Sequence, residues 1–274
     1  MNRWYKLSQS AAKSALKYRV QMGLGLDSPC DVYETIASEN VELQFVDIPS
    51  LEGMCLQEPE VNRICVTAER PWGRQRFTAA HELGHYLLKH GSQIDTVIEQ
   101  RESKEIADEE IIADGFARFL LMPPRAVARA FSGTRHIDAG AVFKASCWLG
   151  VGYESLIRQL CRSLNLISEA QQENLLRQSR QEIGQFILGT ESFKADVWPL
   201  DEAWRGRIVH AQLGDALLGV CARGNSMLGA AGAGVTLIRE IGEASATLVN
   251  GGEVTIRASR RGFVGFYDYR YLPE

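Results

Sequence analysis

The feature that most constrains the fold is the segment at residues 76–90, RFTAAHELGHYLLKH, which holds three of the five histidines in the chain. Its apolar residues recur at helical spacing, and positions i and i+4 of a helix lie about 40° apart on one face. His81 and His85 therefore point to the same place, with Glu82 beside them at the rim. His90 lies about 140° around a continued helix from His85, so we do not expect it to reach a metal bound by this pair.

Two neutral imidazoles and a carboxylate are a common zinc set for hydrolysis, in which the fourth position is left to water. We therefore expect His81 and His85 to bind Zn²⁺. Glu82 would be the catalytic base, which takes a proton from the water and later passes it to the leaving amine. The alternative is a pair of histidines on a helix surface that make ordinary hydrogen bonds.

A site of this kind needs a further ligand from a second helix, and the segment EEIIADGFARFLLMP offers Glu110 and Asp114, again four residues apart. Either could reach the metal, and the spacing has a use if Glu110 is the ligand. Asp114, one turn later, would accept the Nδ1 proton of a ligand histidine and fix its orientation. Asp108 and Glu109 lie off the face that carries Asp114. The alternative for this acidic run is a solvated helix start, which the helix dipole favours.

The two segments together, RQRFTAAHELGHYLL followed by EEIIADGFARFLLMP, resemble the ImmA/IrrE family of bacterial zinc metallopeptidases. The resemblance covers roughly residues 16–167. In that family the two motif histidines and the glutamate of the second segment hold zinc, which implies the same roles for His81, His85 and Glu110, with Glu82 as the base. The chain departs from the family where ICVTAERPWG lacks an asparagine that usually ends the strand before RQRF.

The resemblance also implies a substrate and partners. Members of the family cut helix-turn-helix repressors and so release a stress, mobile-element or defence operon, which implies a narrow-specificity endopeptidase with a protein substrate of that class. The main alternative is a metal-containing binding or sensor protein that sequesters a repressor without cutting it. A more remote alternative is a DNA-binding regulator with a structural metal site.

The predicted fold is α+β. Residues 1–167 are expected to form a mainly helical, zincin-like peptidase domain with a small antiparallel sheet, and residues 168–190 a helical linker. Short alternating runs separated by glycines predict an all-β, sandwich-like domain at residues 191–274, with a sensory or interaction role. Within the first domain, RICVTA is expected to be either an edge strand beside the motif helix, to which an extended substrate adds by backbone pairing, or a plain buried strand.

Composition and charge narrow the environment of the protein. The net charge of −4 provides no general field for binding nucleic acid. The six cysteines are scattered without a CxxC pair, which predicts buried thiols in a reducing compartment. No apolar run is long enough to span a bilayer. We therefore expect a cytoplasmic protein that does not associate with membranes.

Two further segments are candidates for contact with phosphate or nucleic acid. Arg257, Arg260 and Arg261 form a cluster that is either a solvated hairpin or a phosphate-sensing site, so a nucleic acid or a small molecule is a candidate activator at the C-terminal domain. Residues 142–160 resemble a helix-turn-helix, but the second helix offers few basic groups, and a core role is favoured. His136 and His210 are expected to be ordinary surface or packed histidines.

Overall fold

The structure is a computed structural model that describes residues 3–96, 106–221, 225–232 and 234–273. Nine α-helices lie in these ranges, and a π-helical turn, Gln159–Ser163, continues the seventh. The helices are α1 (Arg3–Gln21), α2 (Val32–Ser38), α3 (Trp72–Leu88), α4 (Asp108–Leu121), α5 (Pro124–Ala130), α6 (Ala139–Leu149), α7 (Tyr153–Arg158), α8 (Glu169–Leu175) and α9 (Arg180–Leu188).

Thirteen strands lie in the same ranges. The strands are β1 (Glu42–Val46), β2 (Leu51–Glu58), β3 (Val61–Thr67), β4 (Gln93–Thr96), β5 (Val197–Pro199), β6 (Ile208–Gln212), β7 (Ala216–Leu218), β8 (Val220–Cys221), β9 (Leu228–Ala230), β10 (Val235–Ile238), β11 (Gly242–Leu248), β12 (Glu253–Ser259) and β13 (Gly265–Phe266). The α+β class and the β-rich character of the C-terminal region are confirmed.

The first sheet has the strand order β13-β1-β3-β2-β4. Strand β3 pairs in parallel with β1 and antiparallel with β2. The prediction of an antiparallel sheet was therefore wrong for the pair β1 and β3. The connection from β1 to β2 skips one strand position, and the β2–β3 hairpin then places β3 in that position, parallel to β1. For the same reason the RICVTA strand is not an edge strand, and the prediction that a substrate pairs with it was wrong.

The motif helix α3 is bounded by two backbone signals. It starts after Pro71, whose extended backbone precedes the first turn, and it ends at Leu88 because Lys89 adopts the left-handed conformation with φ 58°. Most of its residues are buried, so α3 is a core helix rather than a surface helix. Helix α4 packs beside it and carries three acidic residues in its first turn.

The C-terminal strands form two four-stranded sheets, with the orders β5-β7-β10-β9 and β6-β12-β11-β8. Each contains one parallel pair, β5 with β7 and β6 with β12. The sandwich arrangement stays a prediction. Residues 168–190 contain two short helices rather than one long one, and each starts with a capping box, at Ser168 and at Ser179.

The last strand and the residues after it join the N-terminal half. Strand β13 completes the first sheet beside β1. The Arg270 guanidinium lies 4.0 Å from the ring centroid of Phe45, and the Trp72 and Trp198 rings lie 4.8 Å apart. One hydrophobic core runs through both halves. The domain boundaries at residues 167 and 191 stay predictions. Strand pairing, ring contacts and the shared core join the residues on either side of them.

Burial agrees with the reading of the cysteines as free thiols. Cys30, Cys55, Cys65, Cys147 and Cys161 are buried and unpaired, while Cys221 is exposed. Among the helices of the described ranges, none combines the length and the apolar character needed to cross a membrane.

Candidate metal centre

Helices α3 and α4 bring three side chains to one point. The Glu110 carboxylate reaches both histidines, with Oε2 3.2 Å from Nε2 of His81 and Oε1 3.3 Å from Nε2 of His85. The two Nε2 atoms lie 3.0 Å from each other. All three residues offer a ligand atom within 4.8 Å of the other two, so this group is a candidate cation site.

The outer nitrogens of both histidines also have partners. His81 Nδ1 lies 3.1 Å from Asp114 Oδ1, which is the position expected for a carboxylate that orients a ligand histidine. His85 Nδ1 lies 3.0 Å from Nδ1 of His90, on the side of the ring away from Glu110. Because α3 ends at Leu88, the left-handed Lys89 turns the chain back and carries His90 to His85.

Glu82 lies beside the group in a closed environment. Its side chain is fully buried, and neither carboxylate oxygen has a hydrogen-bond partner in the described part of the chain. Strand β2 passes directly over it at Gly53. Burial raises the pKa of Glu82 well above its ordinary value, and the nearby carboxylates of Asp95 and Glu110 act in the same direction.

Asp95, on the short strand β4, is a residue that the sequence analysis missed. Its Oδ2 lies 3.2 Å from Nε2 of His81, the nitrogen that also faces Glu110. Together with His81 and Glu82 it forms a second group that could hold an ion. Nothing near Asp95 in the sequence marks it, because it reaches the site only through the pairing of β4 with β2.

The electrostatics of the site favour a cation. Burial lowers the pKa of His81, but hydrogen bonds to Asp114, Asp95 and Glu110 outweigh it and raise that pKa well above the ordinary value. Burial raises the pKa of Glu110, but hydrogen bonds with His81 and His85 outweigh it and lower that pKa. A buried carboxylate without a partner, next to two imidazoles and further carboxylates, fits a divalent metal and its water.

Residues 33–160 match the model of the family Peptidase_M78, described as the IrrE N-terminal-like domain. This segment is an IrrE N-terminal-like domain. The resemblance to the ImmA/IrrE metallopeptidases is thereby confirmed, and the match includes every residue of the candidate site described above. No curated protein matches the chain. Residues 161–274 lie outside the IrrE N-terminal-like match, so the family assignment concerns the part of the chain that carries the candidate metal centre.

The other candidates from the sequence have mostly structural contacts. Arg257 pairs with Glu34 and Glu243, and Arg261 pairs with Asp215, so these two members of the basic cluster already have carboxylate partners. In residues 142–160, the apolar residues of the second helix are buried, as a core role requires. An activator at the C-terminal region stays a prediction.

Proposed function

We propose that the protein is a zinc-dependent endopeptidase in which His81, His85 and Glu110 hold the ion and Glu82 is the catalytic base. The observation that carries the proposal is the buried, unpartnered carboxylate of Glu82 beside the three donors. Bound zinc would supply Lewis-acid polarisation of the scissile carbonyl and would lower the pKa of a water molecule. Two imidazoles and a carboxylate suit zinc among the divalent metals.

The protein's own side chains have separate tasks in this proposal. Glu82 takes a proton from the attacking water on a carboxylate oxygen and delivers it to the leaving amine. Asp114 and His90 hold the rings of His81 and His85 from behind, so that both Nε2 atoms keep their common direction. Burial of Glu82 under β2 keeps bulk water away from the carboxylate.

The substrate we propose is a helix-turn-helix repressor, whose cleavage releases a stress, mobile-element or defence operon. Its support is the membership of residues 33–160 in the IrrE N-terminal-like family together with the sequence resemblance described first. Because β3 is interior, we place the extended substrate segment along β4, which ends the sheet on the side of Asp95 within the described strands.

A non-cleaving binding protein that sequesters a repressor is the second candidate, and Asp95 is the observation that favours it. If the ion lies in the second group, Glu82 binds it together with His81 and Asp95 and is not free to act as a base. A metal site whose carboxylate base is itself a ligand is structural rather than catalytic.

The test co-expresses the chain with the helix-turn-helix protein encoded beside it. The native chain, Glu82→Gln and the control Glu173→Gln, at an exposed position of α8, are compared for fragments of the neighbour and for bound zinc. We expect cleavage by the native chain and the control only, with equal zinc in all three. If every chain holds zinc, binds the neighbour and leaves it intact, the sequestering protein replaces the peptidase.

A further inference from the structure

A cleft of about 470 Å³ opens where the IrrE N-terminal-like domain meets the C-terminal strands. Its volume lies in the range of about 300–1,000 Å³ that is typical of small-molecule sites. Four of the five tryptophans in the chain line it, namely Trp72, Trp148, Trp198 and Trp204. This cleft is built from different residues than the metal centre, and the function proposed above gives it no task.

The cationic groups of the cleft cluster around one of these rings. The guanidinium carbons of Arg129 and Arg207 lie 5.8 Å and 5.5 Å from the ring centroid of Trp148. Arg205 also lines the cleft. Guanidinium groups present planar pairs of donors that match phosphate oxygens, so a group of arginines is typical of phosphate sites.

Arg207 is the member of this group whose charge is least compensated. It is half-buried, and its side chain donates to the backbone oxygen of Pro29 at 3.1 Å, while no carboxylate pairs with it in the described part of the chain. Burial lowers the pKa of Arg207 to about 10, although the charge of Asp31 opposes this. A partly buried cation without an anionic partner is stabilised when a ligand supplies one.

The carboxylates that line the cleft do not compensate Arg207. Asp31 lies 2.6 Å from His210 Nε2 and 3.8 Å from the guanidinium of Arg76, so its charge is already engaged. Glu34 pairs with Arg257. Outside the lining, Arg129 pairs with Asp27 and Arg205 pairs with Glu202, so the guanidinium of this group that has no carboxylate partner in the described part of the chain is that of Arg207.

We propose that this cleft binds a small phosphate-bearing ligand of about the size of a mononucleotide, held by Arg129, Arg205 and Arg207. A small molecule is favoured over a nucleic acid strand because the basic groups converge on one cleft of limited volume and the chain as a whole is acidic.

The position of the cleft gives such a ligand a route to the metal centre. Trp72 and Arg76 line the cleft from the first two turns of α3, and His81 follows Arg76 by five residues, or about 7.5 Å along the helix axis. A ligand that draws the C-terminal strands onto the start of α3 acts on the helix that carries both histidines. An effect on cleavage rests on the proposed function, whereas binding in the cleft does not.

The test measures binding to the full chain by tryptophan fluorescence and by calorimetry, because four of the five tryptophans report on the cleft. The probes are AMP, inorganic phosphate, adenosine and a single-stranded oligonucleotide with a 5′-phosphate. We expect AMP to bind and adenosine not to bind. Equal binding of phosphate and AMP would support the same site with free phosphate as its ligand, whereas tighter binding of AMP would support a mononucleotide.

The variants Arg129→Gln and Arg207→Gln should each weaken AMP binding by about tenfold, the loss of one charged hydrogen-bonding partner. Arg158→Gln is the control, because the side chain of Arg158 is as exposed to solvent as that of Arg129 and pairs with Glu154 on α7, outside the cleft. Arg129 is exposed, so its variant should fold normally even if Arg207→Gln does not. Any one of four results would overturn the proposal. They are unchanged affinity in both Arg129→Gln and Arg207→Gln, binding of adenosine as tight as that of AMP, no binding of AMP or phosphate, and binding of the oligonucleotide alone.

Discussion

Gly53 lies against Glu82 so closely that a Cβ atom at position 53 would be 2.3 Å from Oε1 of Glu82 and 2.5 Å from Cγ2 of Thr78. Strand β2 therefore covers the proposed base without leaving space for a side chain, and any larger residue at this point must move either the strand or the carboxylate.

The variant Gly53→Ala should reduce cleavage strongly and lower the free energy of unfolding by about 2 kcal/mol, because the buried Glu82 has nowhere to move. Activity assays and chemical denaturation measure the two effects. Gly140→Ala is the control, since a Cβ there would meet only Asp138 Oδ1, at 3.5 Å. Full activity of Gly53→Ala would contradict the placement of Glu82 under β2.

Metal content should depend more on Glu110 than on Asp95. Glu110 reaches the Nε2 atoms of both motif histidines, whereas Asp95 reaches that of His81 only. We expect Glu110→Gln to lose stoichiometric metal and Asp95→Asn to keep it with about tenfold lower affinity. Elemental analysis and chelator competition distinguish the two. The reverse order would make Asp95 the third ligand and Glu110 its support.

The contact between His90 and His85 should be visible in metal affinity. Loss of a residue that orients a metal-binding histidine commonly weakens metal binding by about 10- to 100-fold, so His90→Ala should lower affinity within that range. His136→Ala, which removes a histidine outside the site, is the matched control. Equal affinities of the two variants would show that His90 merely lies near His85.

Arg270 should couple the C-terminal region to the first sheet. Its side chain is buried, stacks on Phe45 and donates to Oε1 of Gln75 at 3.4 Å. We expect Arg270→Ala to lower the free energy of unfolding by about 3 kcal/mol while the chain still unfolds in one transition. Calorimetry compares it with Arg177→Ala, at an exposed position. Two separate transitions, of which only one shifts, would indicate that the C-terminal region folds independently.

Acid should weaken the fold in part through Asp31. Burial raises the pKa of this carboxyl, but the charges of His210 and Arg76 outweigh burial and hold the pKa below its ordinary value of 3.8. A depressed folded-state pKa contributes stability above the unfolded value, and that stability is lost as the pH falls below about 4.

Asp31→Asn isolates this charge because the amide oxygen can still accept the hydrogen bond from Tyr33 N that caps α2. Between pH 6 and pH 3, unfolding by urea should show a larger loss of stability for the native chain than for the variant. The same loss in both would mean that Asp31 carries no such contribution.

Local patterns were sufficient to predict the centre of the site. The i, i+4 spacing of His81 and His85 fixes their common direction, and the same spacing places Glu110 and Asp114 on one face of α4. Such relations depend only on the geometry of a single helix, so they are present in the sequence before any tertiary contact forms. The capping box at Ser168 is predictable for the same reason.

What the sequence did not predict, or predicted wrongly, depended on one residue's backbone conformation or on the order of strands. The contact between His90 and His85 was not predicted, because the left-handed Lys89 that brings the two rings together cannot be recognised from helical spacing. The prediction that β3 is an edge strand was wrong because β3 pairs with β1 on one side and with β2 on the other. The order of strands depends on contacts between segments that are distant along the chain. Alternating residues along a strand indicate its faces but not its neighbours.

The sequence by itself determined the motif helix, the second acidic helix and the residues that can hold a metal, because helical periodicity is a property of consecutive residues. Only the tertiary structure decided that Asp95 reaches His81, that Gly53 covers Glu82, that β13 closes the first sheet and that arginines from both halves share a cleft. These contacts join residues that are distant along the chain, and they exist only once the strands have paired and the common core has formed.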